Sequence, residues 1–223
     1  MGIFFGILCL ICFCLLSAKA VTAKLRLKKI DRALTIVHKP VSVFLIIMCF
    51  IHIIYVVPIL INRNELVILS GIASVVFMIL LICFCHIIKG RKKKLLWHRI
   101  LTILMAISIT GHFMAYIIDF NNYQKNIANI GFDDINFVTV QDGIYKGKYD
   151  AGYIYAKVEI KVKDGIIISI NLLEHRNERG ANAESIINDI ILKQKIDVDT
   201  VSGATNSSNV IKKAIENAIK SGN

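Results

Sequence analysis

Proline is scarce in this chain, two in 223 residues, and tryptophan occurs once. With 55% hydrophobic residues and a mean hydropathy of +0.60, that scarcity excludes a disordered chain and argues against an ordinary soluble enzyme. Acidic residues are nearly missing from the first half. Residues 1–118 hold 14 Lys+Arg against 2 Asp+Glu, and residues 119–223 hold 13 against 14. The net charge of +11 is therefore +12 in the apolar half and −1 in the polar half. Excess charge confined to the apolar half is not a nucleic-acid footprint, so no nucleic-acid partner is expected. Cysteine is absent from the second half. All six (Cys9, Cys12, Cys14, Cys49, Cys83, Cys85) lie in apolar runs, so the polar half has neither a disulfide framework nor a thiolate zinc site. They read as small, polarizable packing residues. No CxxCH motif attaches a c-type haem, and no glycine-rich nicotinamide fingerprint is present.

Long apolar runs are what the first half does have. Residues 2–18, 41–61, 66–88 and 95–118 each match the roughly 17–25 helical residues that a bilayer core requires. The first run has no preceding basic residue and no small-x-small cleavage site, so it reads as a retained helix rather than a signal peptide. Basic residues then set the topology. Lys19, Lys24, Arg26, Lys28, Lys29, Arg32 and Lys39 lie between the first two runs; Lys89, Arg91, Lys92, Lys93, Lys94 and Arg99 lie around the turn from the third to the fourth. The positive-inside rule puts both clusters in the cytoplasm, and the N-terminus and everything after residue 118 outside.

Five histidines fall in or beside these runs, where ionisable groups are costly and functional by default. His38 and His52 are 14 residues apart, as are His98 and His112. Fourteen residues rise about 21 Å and return to within about 40° of the same helix face. The second and fourth runs point the same way, so His38 lies level with His98 near the cytoplasmic edge, and His52 level with His112 deeper in. Two histidines opposed across a bundle core suit a six-coordinate haem iron, and two levels suit two haems of the b type. Lys39 and Arg99, each next to an inner histidine, are placed to pair with haem propionates. Gly111 removes bulk beside His112. His86 also reaches cytoplasmic depth and is an alternative to His38, whose helix Pro40 is expected to perturb. The bland reading makes these histidines helix-bridging or interfacial groups. The paired spacing is similar to that of membrane cytochromes b of ferric-reductase-like and quinol-oxidising type, which carry two histidines on each of two helices.

The polar half reads as a small α+β unit, with residues 119–137 as a tether and a domain over 138–223. Asp142-Gly143 and Asp164-Gly165 are turn dipeptides. Residues 154–163 alternate apolar and polar, as a half-buried strand does. Residues 166–173 form its partner, with Ile166, Ile168, Ile170 and Leu172 on one face. Helices are expected over 182–195 and about 207–220, the second with an apolar stripe from Val210 to Ile219.

Before that last helix stands Asp199-Thr-Val-Ser-Gly-Ala-Thr-Asn-Ser-Ser208. Gly203 permits a tight turn, Ser207 or Ser208 can cap the helix, and the first helical amides form an anion site beside the exposed hydroxyl of Thr205. That chemistry admits a phosphate and does not by itself indicate a flavin. The residues themselves are more specific. Asp199-x-x-Ser202-Gly203-Ala204-Thr205 followed by Ser207, after the opening Asp142-Gly-Ile-Tyr-Lys-Gly147, resembles the FMN-binding domain family over about residues 140–220. That family includes the covalently flavinylated subunits of Rnf-type and sodium-pumping quinone reductase complexes. The resemblance implies FMN attached to Thr205 through a phosphoester, installed by a dedicated flavin transferase, with Asp199 part of the recognition motif. His175-Arg-Asn-Glu-Arg-Gly180 departs from the Glu-Thr-Pro-Gly-like stretch common in the family. His175 is expected to face solvent. Tyr145 is either a flavin-stacking ring or an ordinary strand aromatic.

Together the halves suggest a multi-pass protein of the cell membrane, an electron carrier or a membrane reductase module. Electrons from membrane quinol or a cytoplasmic reductase would pass through two haems to extracytoplasmic FMN and an external acceptor, or in reverse. A sensor or ligand-binding membrane protein with structural histidines, and a transporter component with proton-relaying histidines, remain as alternatives.

Overall fold

The computed structural model describes residues 1–133, 140–177 and 179–221, the side chains at 61 and 62 excepted. The chain forms two compact units, Met1–Tyr116 and Ile117–Asn223. The expected 137/138 boundary lies outside the described residues.

The first unit holds α1 (Gly2–Lys24), α2 (Lys28–Val56), α3 (Glu65–Ile87) and most of α4 (Arg91–Ala128). All four are long and apolar enough to cross a membrane. Their ends follow local chemistry. The Asn64 side chain caps α3 by accepting from the Leu66 amide at 2.9 Å. Gly90, with φ +99°, turns the chain into α4. Pro58 opens a 3-10 turn at Val57–Asn62, where its missing N–H leaves no bond unmade. Pro40 was expected to disturb the helix around His38, yet α2 runs straight through it. The Ser42 hydroxyl donates to the His38 carbonyl at 2.7 Å, adding a local bond two residues past the proline. Cys12, Phe13, Leu45 and Met105 pack between the helices. Phe4, Ile7, Leu69, Ile103 and Ile107 point outward and are at least half exposed, an exterior that suits lipid rather than water.

The second unit is a three-stranded antiparallel sheet covered by helices. Its strands β1 (Gly143–Asp150), β2 (Tyr155–Lys163) and β3 (Ile166–Arg176) lie in the order β1-β2-β3. Asp164-Gly165 makes the β2–β3 hairpin with φ of 53° and 70°, the left-handed pair of a type I′ turn. Asp142-Gly143 is not a hairpin. It opens β1, and the Asp142 carboxylate accepts from the Asp164 amide at 2.7 Å. β2 alternates as expected, with Ala156, Val158, Ile160 and Val162 buried.

β3 departs from expectation. A bulge between Lys161 and Val162 shifts the register, so Ile167 is buried while Ile166 and Ile168 are about half exposed. The expected helix over 182–195 is a 3-10 turn, Ala181–Ser185, leading into α5 (Ile186–Lys193).

The last helix, α6 (Thr205–Lys220), buries Val210, Ile211, Ala214, Ile215, Ala218 and Ile219. It lies directly on β1 at Gly147, where a Cβ would sit 2.2 Å from the Ala214 carbonyl oxygen. That contact explains the glycine closing the Asp142–Gly147 motif. The fully buried Glu216 carboxylate on α6 is compensated by Lys213 at 3.0 Å and Lys220 at 2.6 Å. Lys220 also reaches Asp133 and holds that carboxyl below its usual pKa.

The expected tether is not a free linker. Residues 119–128 continue α4, and Tyr123 is buried in the core of the second unit with Ile127 and Ile130 packed against it. The spacing 120, 123, 127, 130 is the i, i+3, i+7 stripe of an amphipathic helix.

Candidate functional site

The loop before α6 is shaped by its glycines. Gly203 has φ +76°, a backbone that disfavours a side chain. The Ala204 amide closes the turn on the Val201 carbonyl at 2.9 Å. At Gly180 a Cβ would fall 2.0 Å from the Ser207 hydroxyl oxygen, so the 175–180 loop presses on the start of α6 through a glycine.

Neither serine caps the helix as expected. Ala204 stands at the N-cap with no side-chain bond. The Ser208 hydroxyl instead accepts from the Val201 amide at 3.1 Å, and Ser207 is buried against Gly180. The first turn of α6 thus keeps its amides for a ligand. Thr205, the first helical residue, is exposed.

Thr205 opens onto a cavity of about 400 Å³ lined by Tyr123, Tyr153, Ile154, Arg179, Gly180 and residues 203–207. Its size is that of a small-molecule site, with an aromatic and apolar side at Tyr123, Tyr153 and Ile154 and a polar side at Arg179, Thr205, Asn206 and Ser207. Arg179 supplies the cationic side chain of the lining. Asp199 and Ser202 are exposed and outside that lining. Asp199 lies in electrostatic reach of Lys212, whose nearly buried ammonium donates to the Val198 carbonyl at 2.9 Å and pins the irregular segment leading to the loop. Burial pushes the Lys212 ammonium below the usual lysine pKa, and Asp197 and Asp199 oppose that shift.

Two expected residues move. The Tyr145 hydroxyl donates to the Gln141 carbonyl at 2.6 Å, away from the cavity lining. His175 does not face solvent: its side chain is 2% exposed and Nδ1 lies 2.9 Å from a Glu184 oxygen.

In the first unit one pair of histidines from α2 and α4 comes together: the His38 and His98 ring centres are 6.2 Å apart. His86 is exposed and bonded through Nδ1 to the Ile82 carbonyl of its own helix at 3.0 Å.

The outer pair is fixed at the second ring nitrogen. His52 Nδ1 bonds the Gly2 carbonyl at 2.9 Å, and His112 Nδ1 bonds the Val67 carbonyl at 3.1 Å. A carbonyl accepts, so each ring donates from Nδ1, and its Nε2 points away from that contact. The inner pair differs. His98 Nδ1 lies 3.5 Å from the Cys85 sulfur, and His38 Nδ1 is buried without a partner.

Glycine again makes the room, at positions the sequence reading passed over. A Cβ at Gly6 of α1 would stand 3.0 Å from His52 Cε1, and one at Gly71 of α3 would stand 3.1 Å from His112 Cε1. Gly111, expected to matter, has nothing within 4 Å of its Cβ direction. Lys39 and Arg99 are exposed. Among the described residues, no group of three or more His, Cys, Asp or Glu side chains is arranged to hold a metal.

Residues 151–220 match the family model of the FMN-binding domain. The match lies within the second unit and takes in the Ser202–Thr205 loop, all of α6 and two of the three strands. No characterised protein and no solved structure matches the chain. Four membrane-length helices are thus followed by a small α+β unit in which residues 151–220 match the FMN-binding domain model.

Proposed function

We propose that the protein carries electrons across the cell membrane through two b-type haems and a covalently bound FMN. The observation that carries this reading is Thr205. It is an exposed hydroxyl on the first turn of α6, at the edge of a 400 Å³ cavity, inside the segment that matches an FMN-binding family. The residues fit FMN. Tyr123, Tyr153 and Ile154 offer apolar wall for a flat ring system, while Arg179 and the uncapped amides of α6 offer positive charge for the phosphate. Thr205 provides the oxygen for a phosphoester, which a flavin transferase would install. Bound FMN supplies exchange of one or two electrons; the chain orients it and anchors it.

Haem is supported by the hydrogen bonds on two of the membrane unit's histidine rings and by the close approach of two others. His38 and His98, with ring centres 6.2 Å apart, would hold one iron. His52 and His112 each donate Nδ1–H to a carbonyl and keep Nε2 for iron, the orientation that metal-bound histidines adopt. A porphyrin brings four of the six ligands itself, so two side chains per iron suffice. Lys39 and Arg99 lie beside the inner pair for propionates. His86, bonded to its own helix, is the weaker inner ligand.

By the charge asymmetry the basic loops would lie in the cytoplasm, and the FMN domain and N-terminus outside. Electrons from membrane quinol or a cytoplasmic reductase would leave through FMN to an external acceptor. A second reading, a proton-relaying transporter component, has one feature in its favour. Ser74 and Ser108 hydroxyls lie 2.9 Å apart, Ser108 donates to the Ser70 carbonyl, and Ser70 lies 3.3 Å from His112 Nδ1.

An absorption spectrum of the purified full-length protein, coexpressed with a flavin transferase, separates the two. Reduced b-type bands with two haems and one FMN per chain are expected. A colourless protein would overturn the electron-transfer reading in favour of the proton relay.

A further inference from the structure

Resting on the FMN reading, we infer that Tyr123 and Tyr153 form the aromatic wall that packs against the flavin ring, and that Asn206 holds that wall in register with Thr205. Tyr123 belongs to α4, outside the family-matched segment that begins at residue 151. The helix leading into the second unit therefore supplies part of the site, and the family core alone does not complete it.

The two rings stack face to face, centres 4.6 Å apart and planes within 14° of parallel, and Phe120 closes on both at 6.4 and 6.5 Å. Both tyrosines line the cavity, although they are only 9% and 4% exposed. Their hydroxyls are engaged elsewhere. Tyr153 donates to the Asp119 carboxylate at 3.0 Å, and Tyr123 accepts from the Asn206 side-chain amide at 3.0 Å. Two hydrogen bonds and a shared stack hold the rings in place.

With the hydroxyls tied back, the small exposed part of each tyrosine lies in the cavity lining. A planar heteroaromatic is the ligand class that packs against an aromatic pair in such a lining. Asn206 follows Thr205 directly, so one residue reads the wall and its neighbour carries the anchor. The tyrosines are thus positioning residues: they orient the ring and shape its electronic surroundings, and they do not form the covalent link.

Flavin emission is the test, because a tyrosine in contact with an excited flavin quenches it by electron donation. Full-length wild type, Tyr123→Leu, Tyr153→Leu and Tyr153→Phe are coexpressed with a flavin transferase, and covalent FMN per chain is measured by mass. Native emission is then compared with that of the same sample denatured. Wild type should be quenched at least five-fold relative to its denatured form. Each Leu variant should regain at least two-fold emission at unchanged FMN load. Tyr153→Phe, which keeps a ring to pack on and guards against misfolding of the Leu variants, should gain emission while retaining the wild-type fine structure of the flavin absorption band. Wild-type emission from all three variants at equal load would overturn the wall. Absence of an FMN adduct on wild type would overturn the FMN reading, and this inference with it.

Discussion

Thr205 gains its chemistry from position rather than from any unusual property of threonine. It is the first residue of a helix whose N-cap is alanine, so no side chain competes for the amides around it. Removing only the hydroxyl leaves the fold intact. Thr205→Ala should abolish the FMN adduct and change the stability of the second unit by less than about 0.5 kcal/mol, as surface substitutions do. Mass measurement of the variant after coexpression with a flavin transferase checks this, and a persisting adduct would refute the assignment. Gly71 has a comparable position in the membrane unit. A methyl there would meet His112 Cε1 at 3.1 Å, closer than ordinary contact, and the imidazole would have to yield by tenths of an ångström. Gly71→Ala should shift the low-spin electron paramagnetic resonance signal of the outer haem and leave that of the inner haem in place. Equal shifts in both signals would contradict the separation into two levels.

Packing between elements explains what sequence patterns left obscure. The alternation of β2 and the stripe of α6 were legible, because a strand buried on one face and a helix lying on a sheet repeat every two residues or every three to four. The face of β3 was not legible. Ile166, Ile168, Ile170 and Leu172 keep a period of two, and only a bulge opposite Lys161 and Val162 turns Ile167 inward. A bulge leaves no mark in apolar periodicity. The C-terminal part of α4 was legible in principle, since Phe120, Tyr123, Ile127 and Ile130 keep helical spacing. Its polar neighbours Asp119, Asn121 and Asn122 made it read as a tether. Gly147 stood within a motif, but its purpose appears only when α6 is placed against β1. Gly147→Ala forces backbone apart between strand and helix and should destabilise the second unit by about 3 kcal/mol or more. Denaturant unfolding followed by far-ultraviolet circular dichroism measures it, and a loss below about 1 kcal/mol would mean that α6 does not sit on β1.

At the scale of the whole molecule, charge and hydropathy divide the chain at nearly the residue where its two compact units part. Both signals reflect one cause, the different solvents that the halves face. The spacing of the histidines was legible, and the ring centres of His38 and His98 lie 6.2 Å apart. The carbonyls on their second nitrogens were not legible, because Gly2 and Val67 contribute backbone atoms from other helices. The cavity at Thr205 was half legible: its loop is a motif, but its aromatic wall draws on a residue that precedes the matched domain.

If the haems and the FMN form one path, as proposed, His112→Ala should break it. Wild type and variant, flavinylated and embedded in vesicles, receive electrons from a quinol while the FMN absorbance is followed. Both should carry full FMN, and dithionite should reduce both. Quinol should reduce the FMN of wild type and fail to reduce that of the variant, whose outer haem has lost a ligand. Reduction of the variant at the wild-type rate would contradict the path, even with every cofactor in place.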